Sequence, residues 1–254
     1  MRALGPQGEA VVFLTVPDRA VRAVAAKLAA GGPAIPDSVA FVHTSGALEL
    51  EALAPLRGRH PVGSFHPLQS FSEPGPPSAF RGIVVAVDAG SPQLRRLLGR
   101  LARDLGANPK RVTDSRRSAY HAAAVFASNY LVALLGEAID LLRLAGWTEK
   151  EAIQGLIPLA ERTLANMRKR GVMAALTGPI RRGDSETVRR HLVALADVAA
   201  QPGRRSPSRT DVYRMLGQVA LEIARKGGLE PAAAEQTRRA LTRKVAATRR
   251  RSRA

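Results

Sequence analysis

Two short segments each bring an imidazole and a hydroxyl together: His43-Thr44-Ser45-Gly46 and Gly63-Ser64-Phe65-His66-Pro67-Leu68-Gln69. Each follows a run that reads as a β-strand, and ligands of open α/β sheets collect at the carboxyl ends of strands. Polar side chains in such loops are poorly explained by packing. Imidazole titrates near neutral pH, so His66 has the chemistry to exchange a proton with a substrate carbinol or carbonyl. Pro67 biases His66 toward an extended backbone and helps fix its direction. Gly46 permits a tight turn and close backbone approach. Both segments also have a structural reading. Thr44 or Ser45 fits as the cap of a helix starting near Leu48, and His66 fits as a histidine satisfied by backbone groups in a crowded loop.

Three further segments carry candidate chemistry. Thr15-Val16-Pro17-Asp18 ends the first strand, where a ligand-facing turn and a strand-to-helix turn with an aspartate cap fit equally well. In Tyr120-His121-Ala122-Ala123-Ala124-Val125-Phe126-Ala127-Ser128-Asn129, His121, Val125 and Ser128 or Asn129 share one helical face, with Tyr120 about 100° away. Ser128 and Asn129 have poor mid-helix propensity, which implies a specific hydrogen bond, to a ligand or between packed helices. Thr177-Gly178-Pro179-Ile180-Arg181-Arg182-Gly183-Asp184 offers arginines to an anionic substrate, or joins two helices with Asp184 or Ser185 as a cap. His60 and His191 read as surface residues. The five histidines have no metal-ligand spacing, so no metal is expected.

The elements that would position these groups follow from periodicity. Ala10–Val16 is a continuous apolar run, the pattern of a strand buried on both faces. Pro17-Asp18 opens a helix through about Ala30. Strands are expected at Val39–His43, Pro61–Phe65 and Gly82–Val87, with a short one near Arg111–Thr113. Helices are expected over Leu48–Leu56 and Ser91–Leu105, and Ser70–Ala79 is a proline-rich loop. From Ser115 onward the pattern is helical: Ser115–Ala145 as one helix of about 45 Å through the middle of a bundle, then Glu149–Arg170, Ser185–Ala200, Ser208–Arg225 and Pro231–Ala247. Thr148-Glu149-Lys150-Glu151 has the form of a capping box, and Pro158 is expected to interrupt its helix. Pro202–Pro207 reads as a linker. The fold class is therefore α/β followed by all-α, with a domain over residues 1–114, a helical domain over 115–247 and a basic, disordered tail at 248–254.

Composition narrows the chemistry. A chain of 254 residues, 45% hydrophobic, can bury a sizeable core. The absence of cysteine excludes disulfides, thiolate zinc sites and cysteine nucleophiles. No signal segment is legible at the N-terminus and no apolar run of about 18 residues is apparent, so a cytoplasmic protein without a membrane partner is expected. The formal charge of +18 resides mostly in arginines scattered through helices, clustering only at Arg238-Arg239, Arg243-Lys244 and Arg249-Arg250-Arg251. With 4% aromatic residues, few side chains could stack on bases, so a nucleic-acid role is not expected. The same field suits an anionic small molecule or a cofactor phosphate.

Taken in order, Thr15–Asp18, His43–Gly46, Gly63–Gln69, Tyr120–Asn129 and Thr177–Asp184 resemble the Rossmann-like oxidoreductases that carry the domain of unknown function 2520, relatives of pyrroline-5-carboxylate reductase and 6-phosphogluconate dehydrogenase. The resemblance implies a partial Rossmann-type parallel sheet and a helical bundle of the 6-phosphogluconate dehydrogenase C-terminal type. It further implies a homodimer through that bundle, and NAD or NADP as cofactor. The Gly-x-x-His-Pro turn around His66 looks like that of prephenate dehydrogenases, where the histidine engages the hydroxyl being oxidised. By resemblance, Ser45, His66, His121 and Asn129 are the catalytic candidates. Thr15, Val16, Pro17, Asp18, His43, Thr44, Ser45 and Gly46 would line the cofactor. The expected activity is hydride transfer to or from a small hydroxy or imino acid. No G-x-G-x-x-G occurs, so the first strands and the phosphate-binding turn of that fold have no counterpart here. A non-catalytic ligand-binding or dimerising scaffold is the alternative.

Overall fold

The computed structural model describes residues 10–31, 35–199 and 208–243. The segment Pro202–Pro207 and the tail at 248–254 lie outside the described residues. The chain divides into two compact units, Met1–Ala133 and Leu134–Ala254.

The first unit is built on a five-stranded sheet in sequential order: β1 (Val11–Leu14), β2 (Ala40–His43), β3 (Val62–Pro67), β4 (Val84–Ala89) and β5 (Asn108–Arg111). The pairs β1–β2, β2–β3 and β4–β5 are parallel, whereas β3–β4 is antiparallel, with Phe65 opposite Val87. The reversal has a local cause. A parallel return needs a crossover of about a dozen residues, usually helical. The proline-rich segment between β3 and β4 forms only a 3-10 turn at Pro77–Phe80, so the chain folds back beside β3. The last strand also begins earlier than its β-branched residues suggest, at Asn108.

Alternation assigns the two sheet faces. Val42, Phe65, Val85 and Val87 pack under α3 (Pro92–Asp104), whose Leu94, Leu98 and Ala102 are buried. Ser91 caps this helix through Leu94 N–H. On the other face, Leu14, Phe41 and Val62 pack with Val21 and Ala25 of α1 (Asp18–Gly31) and with Leu53 and Leu56 around α2 (Ala54–Arg57). Ser64 and His66 share the Val62 side of β3 by the same alternation. His60, expected at the surface, is buried edge-on against Phe41 with ring centroids 5.0 Å apart.

The expected single helix over Ser115–Ala145 is two: α4 (Asp114–Ala127) and α5 (Asn129–Leu144). The break falls at Ser128, with φ −117° and ψ −72°. Counted through the break, Asp114–Leu144 is long and apolar enough to cross a membrane by length and composition, contrary to the sequence expectation; no part of its most apolar window is buried. The first unit extends past the expected boundary at residue 114 because α4 bonds to the sheet, as described below.

In the second unit follow α6 (Glu149–Ala175), α7 (Gly178–Arg182), α8 (Ser185–Ala199), α9 (Arg209–Lys226) and α10 (Pro231–Thr242). The capping box at Thr148 and Glu151 is present in both directions. The helical path of α6 is interrupted at Gly171, φ +77°, and not at Pro158. Val188, Leu192, Leu221, Ala234 and Leu241 form the core of this unit. Leu98→Ala in the first unit and Leu241→Ala in the second are each expected to cost about 2–5 kcal/mol, read by urea denaturation, because both leucines are wholly buried.

Candidate active site

Four elements of the first unit bring polar groups to one place: the β1–α1 turn, the loop after β2, the end of β3 and the first half of α4. Ser45 joins two of them. Its hydroxyl donates to Asp18 Oδ2 at 2.8 Å and accepts the N–H groups of Ala47 and Leu48 at 3.1 and 3.0 Å. The hydroxyl's one proton and both its lone pairs are thus committed inside the fold. Ser45 is a tie between loops, and Asp18 accepts that tie. This decides the earlier choice for Ser45 toward the structural role.

The start of α4 clamps the same loop. Asp114 accepts the N–H of Leu50 at 3.1 and 3.2 Å. Arg117, with no exposed side-chain surface, donates to the Ser45 carbonyl at 3.3 Å, to the Ser64 hydroxyl and to the Val112 carbonyl. Residues 117, 120 and 121 share a helical face. On β3, Ser64 and His66 are two apart on the same sheet face, and the two spacings match: Arg117 meets Ser64, and Tyr120 Oη lies 2.7 Å from His66 Nδ1. Sequence reasoning missed Arg117 and Tyr120. The available signal was the alternation of Ser64 and His66, facing a helix whose polar residues fall at i, i+3 and i+4.

With Nδ1 engaged by Tyr120, His66 turns Nε2 toward Gly46. A Cβ built on Gly46 would stand 2.7 Å from His66 Nε2 and 2.8 Å from His121 Nδ1. The bare Cα is therefore required, and two imidazole nitrogens converge above it. The two rings lie edge to face, centroids 6.3 Å apart. His121 Nδ1 is buried and has no hydrogen-bond partner. Burial holds His66 down to about 4, aided by the nearby His121 and Arg117 charges and opposed by Asp18. Burial also raises Tyr120 above its usual range, so its hydroxyl is protonated at neutral pH. If Nδ1–H donates to Tyr120, Nε2 is an acceptor; if Tyr120 donates to Nδ1, Nε2–H is a donor. The pair can thus take or give a proton over Gly46.

The remaining candidates separate. His43 is wholly buried and neither ring nitrogen makes a hydrogen bond. Burial and the Arg117 charge lower it to about 4, against weaker opposition from Asp18 and the Glu49 backbone. Its side chain is packing beneath the loop and does not face a ligand. Thr15, Val16 and Pro17 are exposed at the strand end, and Thr44 is half-buried. Asn129 is exposed, beyond the break at Ser128, and no bond links it to the histidine cluster. Thr177–Asp184 is structural: Asp184 binds Thr187 N–H and Oγ1 at 3.0 and 2.7 Å at the head of α8, and Arg181 donates to the Gly227 carbonyl. Among the described residues, no group of three or more His, Cys, Asp or Glu side chains could hold a metal ion.

Residues 83–243 match the family model described as Domain of unknown function (DUF2520). The chain belongs to this family. Among solved structures it is similar to a protein from Thermotoga maritima, at 28% identity and TM-score 0.68, covering 85% of this chain and 79% of that one. A candidate NADP oxidoreductase from Bacteroides fragilis aligns at 22% identity and TM-score 0.65, covering 87% and 77%. Plasmodium falciparum pyrroline carboxylate reductase with NADP bound aligns at 9% identity and TM-score 0.52, covering 91% and 77%. No curated protein matches. The fold is thus that of Rossmann-like reductases and dehydrogenases.

That fold implies a nicotinamide dinucleotide, and the described residues fit one end of it. The exposed strand end at Thr15–Pro17 suits a flat ring against the backbone, whereas Gly46 is buried and its open side is filled by the two imidazoles. A backbone cradle for the pyrophosphate is not found among the described residues, and the one helix that starts at this edge after β1 carries Asp18 in its first turn, which repels phosphate.

Two outcomes follow. Gly46→Ala should displace one imidazole and lower the thermal midpoint, and should shift the His66 and His121 resonances. A folded state that keeps His43 and His66 neutral binds fewer protons than the unfolded chain below pH 6.5. Stability is therefore full above about pH 6.5 and falls as pH drops toward 4. Urea midpoints measured across that window should fall more steeply for the natural chain than for the His43→Gln, His66→Gln double variant.

Proposed function

We propose that this protein is an NAD(P)-dependent oxidoreductase acting on a small, anionic hydroxy or imino acid, with the His66–His121 pair beside Gly46 as its reacting centre. The observation that carries the reading is the convergence of His66 Nε2 and His121 Nδ1 on one glycine, with His66 neutral at pH 7. A bound nicotinamide dinucleotide supplies hydride transfer. His66 accepts the substrate's hydroxyl proton, or returns it in the reverse direction, while Tyr120 holds Nδ1. His121 offers a second nitrogen to the same substrate. Thr15, Val16 and Pro17 give the backbone edge for the ring; Ser45 and Asp18 hold the neighbouring turn in place. The net charge of +18 favours an anionic substrate by steering.

A second reading is favoured by the fully committed Ser45 hydroxyl and by Asp18 in the first turn of the helix after β1. On that reading the chain is a non-catalytic ligand-binding or dimerising scaffold. Fluorescence titration with NADH and NADPH separates the two. Saturable binding that is weakened by Gly46→Val, with His66→Asn lowering kcat about 10²–10⁴-fold on the substrate found, is the expected result. No saturable binding of either dinucleotide removes the oxidoreductase reading.

The reading includes a cytoplasmic homodimer formed through the helical unit. No residue of α5 is buried, and Val132, Leu159, Met215 and Val219 are each more than half exposed on α5, α6 and α9. Apolar surface on this scale marks an interface. A protein partner is favoured over lipid because Glu137 and Asp140 on α5 pair with Arg209 at 2.9 and 2.8 Å, charges that a bilayer core would penalise. Sedimentation velocity at micromolar concentration should give a dimer without detergent, and Val132→Arg should shift it toward monomer. A chain that sediments as a monomer, or only with detergent, rejects this assembly.

A further inference from the structure

We propose that Arg117 is a positioning residue for the His66 proton step: its guanidinium pins the Ser45 loop to the β3 strand beneath the imidazoles, and its fixed charge opposes a second cation above it. The inference rests on the proposed oxidoreductase reading only for its consequence in turnover.

The geometry is specific. A buried guanidinium is costly unless its donors are satisfied. Here the terminal nitrogens meet neutral oxygens, the Ser45 and Val112 carbonyls and the Ser64 hydroxyl, while Nε is buried without a hydrogen-bond partner. The nearest carboxylate is Asp114 at 3.7 Å, itself more than a third exposed and already holding Leu50 N–H. Two carboxylates act on Arg117, Asp114 and the buried Asp88, and Asp88 is shared with Arg111. Guanidinium does not deprotonate in proteins, so the charge is permanent.

The groups around His66 decide which charge state it takes. From the β1–α1 turn comes Asp18, which favours the imidazolium; from α4 come His121, Tyr120 and Arg117, with Asp114 behind Arg117; from β2 comes His43; and Asp88 on β4 faces Arg117. Asp18 spends one oxygen on Ser45. Burial and the cations prevail, and both His43 and His66 are held to about 4. One arginine therefore acts on two imidazoles and on the loop between them. An imidazole that stays bare down to low pH is available to accept a hydroxyl proton throughout the neutral range.

The test is a pH titration of the imidazole Cε1–H resonances by NMR, assigned with His66→Asn, in the natural chain, Arg117→Lys and Arg117→Met. Removal of the charge in Arg117→Met should raise the His66 midpoint by about one pH unit or more, whereas Arg117→Lys should keep it low. In turnover, the acid limb of the kcat profile should move by the same amount in Arg117→Met and stay in Arg117→Lys. Equal His66 midpoints in all three chains overturn the proposal, leaving Arg117 a packing residue. If Arg117→Met does not fold, the natural chain and Arg117→Lys still decide: a His66 midpoint near 6.5 in either one overturns it. The titration needs no cofactor or substrate, so failure of the oxidoreductase reading would show as a natural chain with a low His66 midpoint and no dinucleotide binding.

Discussion

The first unit depends on how one buried cation is satisfied. Arg117 enters from α4, reaches the loop after β2 and the strand β3, and leaves no side-chain surface in water. Its terminal nitrogens need oxygens at fixed places, and the fold supplies them from segments far apart in sequence, while Nε is buried without a hydrogen-bond partner. The loop after β2 is consequently held from three sides, by Arg117 at the Ser45 carbonyl, by Asp114 at Leu50 N–H and by Asp18 at the Ser45 hydroxyl. A loop fixed this way can offer a bare glycine to two imidazoles without collapsing onto them. Gly46 has no room for a methyl group, so the space above it is defined by the histidines.

Division of labour follows from that constraint. The Ser45 hydroxyl is structural, because its hydrogen-bonding capacity is used within the fold, and Asp18 gives it one oxygen. The groups left with capacity are the imidazoles, backed by one phenol. Burial and a fixed cation both disfavour a charged His66, so this imidazole is neutral while Arg117 stays positive. Such a site suits transfer of a proton that arrives from the substrate better than permanent ion pairing with it. The helical unit has a different organisation: its core lies among α8, α9 and α10, while no residue of α5 is fully buried.

Much of the fold was legible because it is written in local periodicity. The continuous apolar runs gave the first four strands to within a few residues, and Ser91-Pro92 marked the start of α3. The direction of β4 was not legible, because strand polarity depends on whether the connection holds a helix, and a proline-rich loop leaves that open. The break between α4 and α5 had a signal in Ser128 and Asn129, whose poor helix propensity was assigned to hydrogen bonding when it marks a helix end. Within the site, His66 and Gly46 were singled out from residue type and position and His121 from the family resemblance, and the structure brings the three together. Ser45 was found but its role was not, since a hydroxyl that caps a turn and one that binds substrate have the same sequence signature. Arg117 and Tyr120 were missed because pairing between a helix face and a strand face is a tertiary register, absent from either segment alone.

The central claim is that His66 presents a neutral imidazole above Gly46, with one nitrogen engaged by Tyr120. Long-range ¹H–¹⁵N correlation spectra of the natural chain at pH 5.5 test it directly, because they report each ring nitrogen separately. The account predicts one protonated and one bare nitrogen for His66 at that pH, where an ordinary histidine is mostly imidazolium. Two protonated nitrogens on His66 would contradict it.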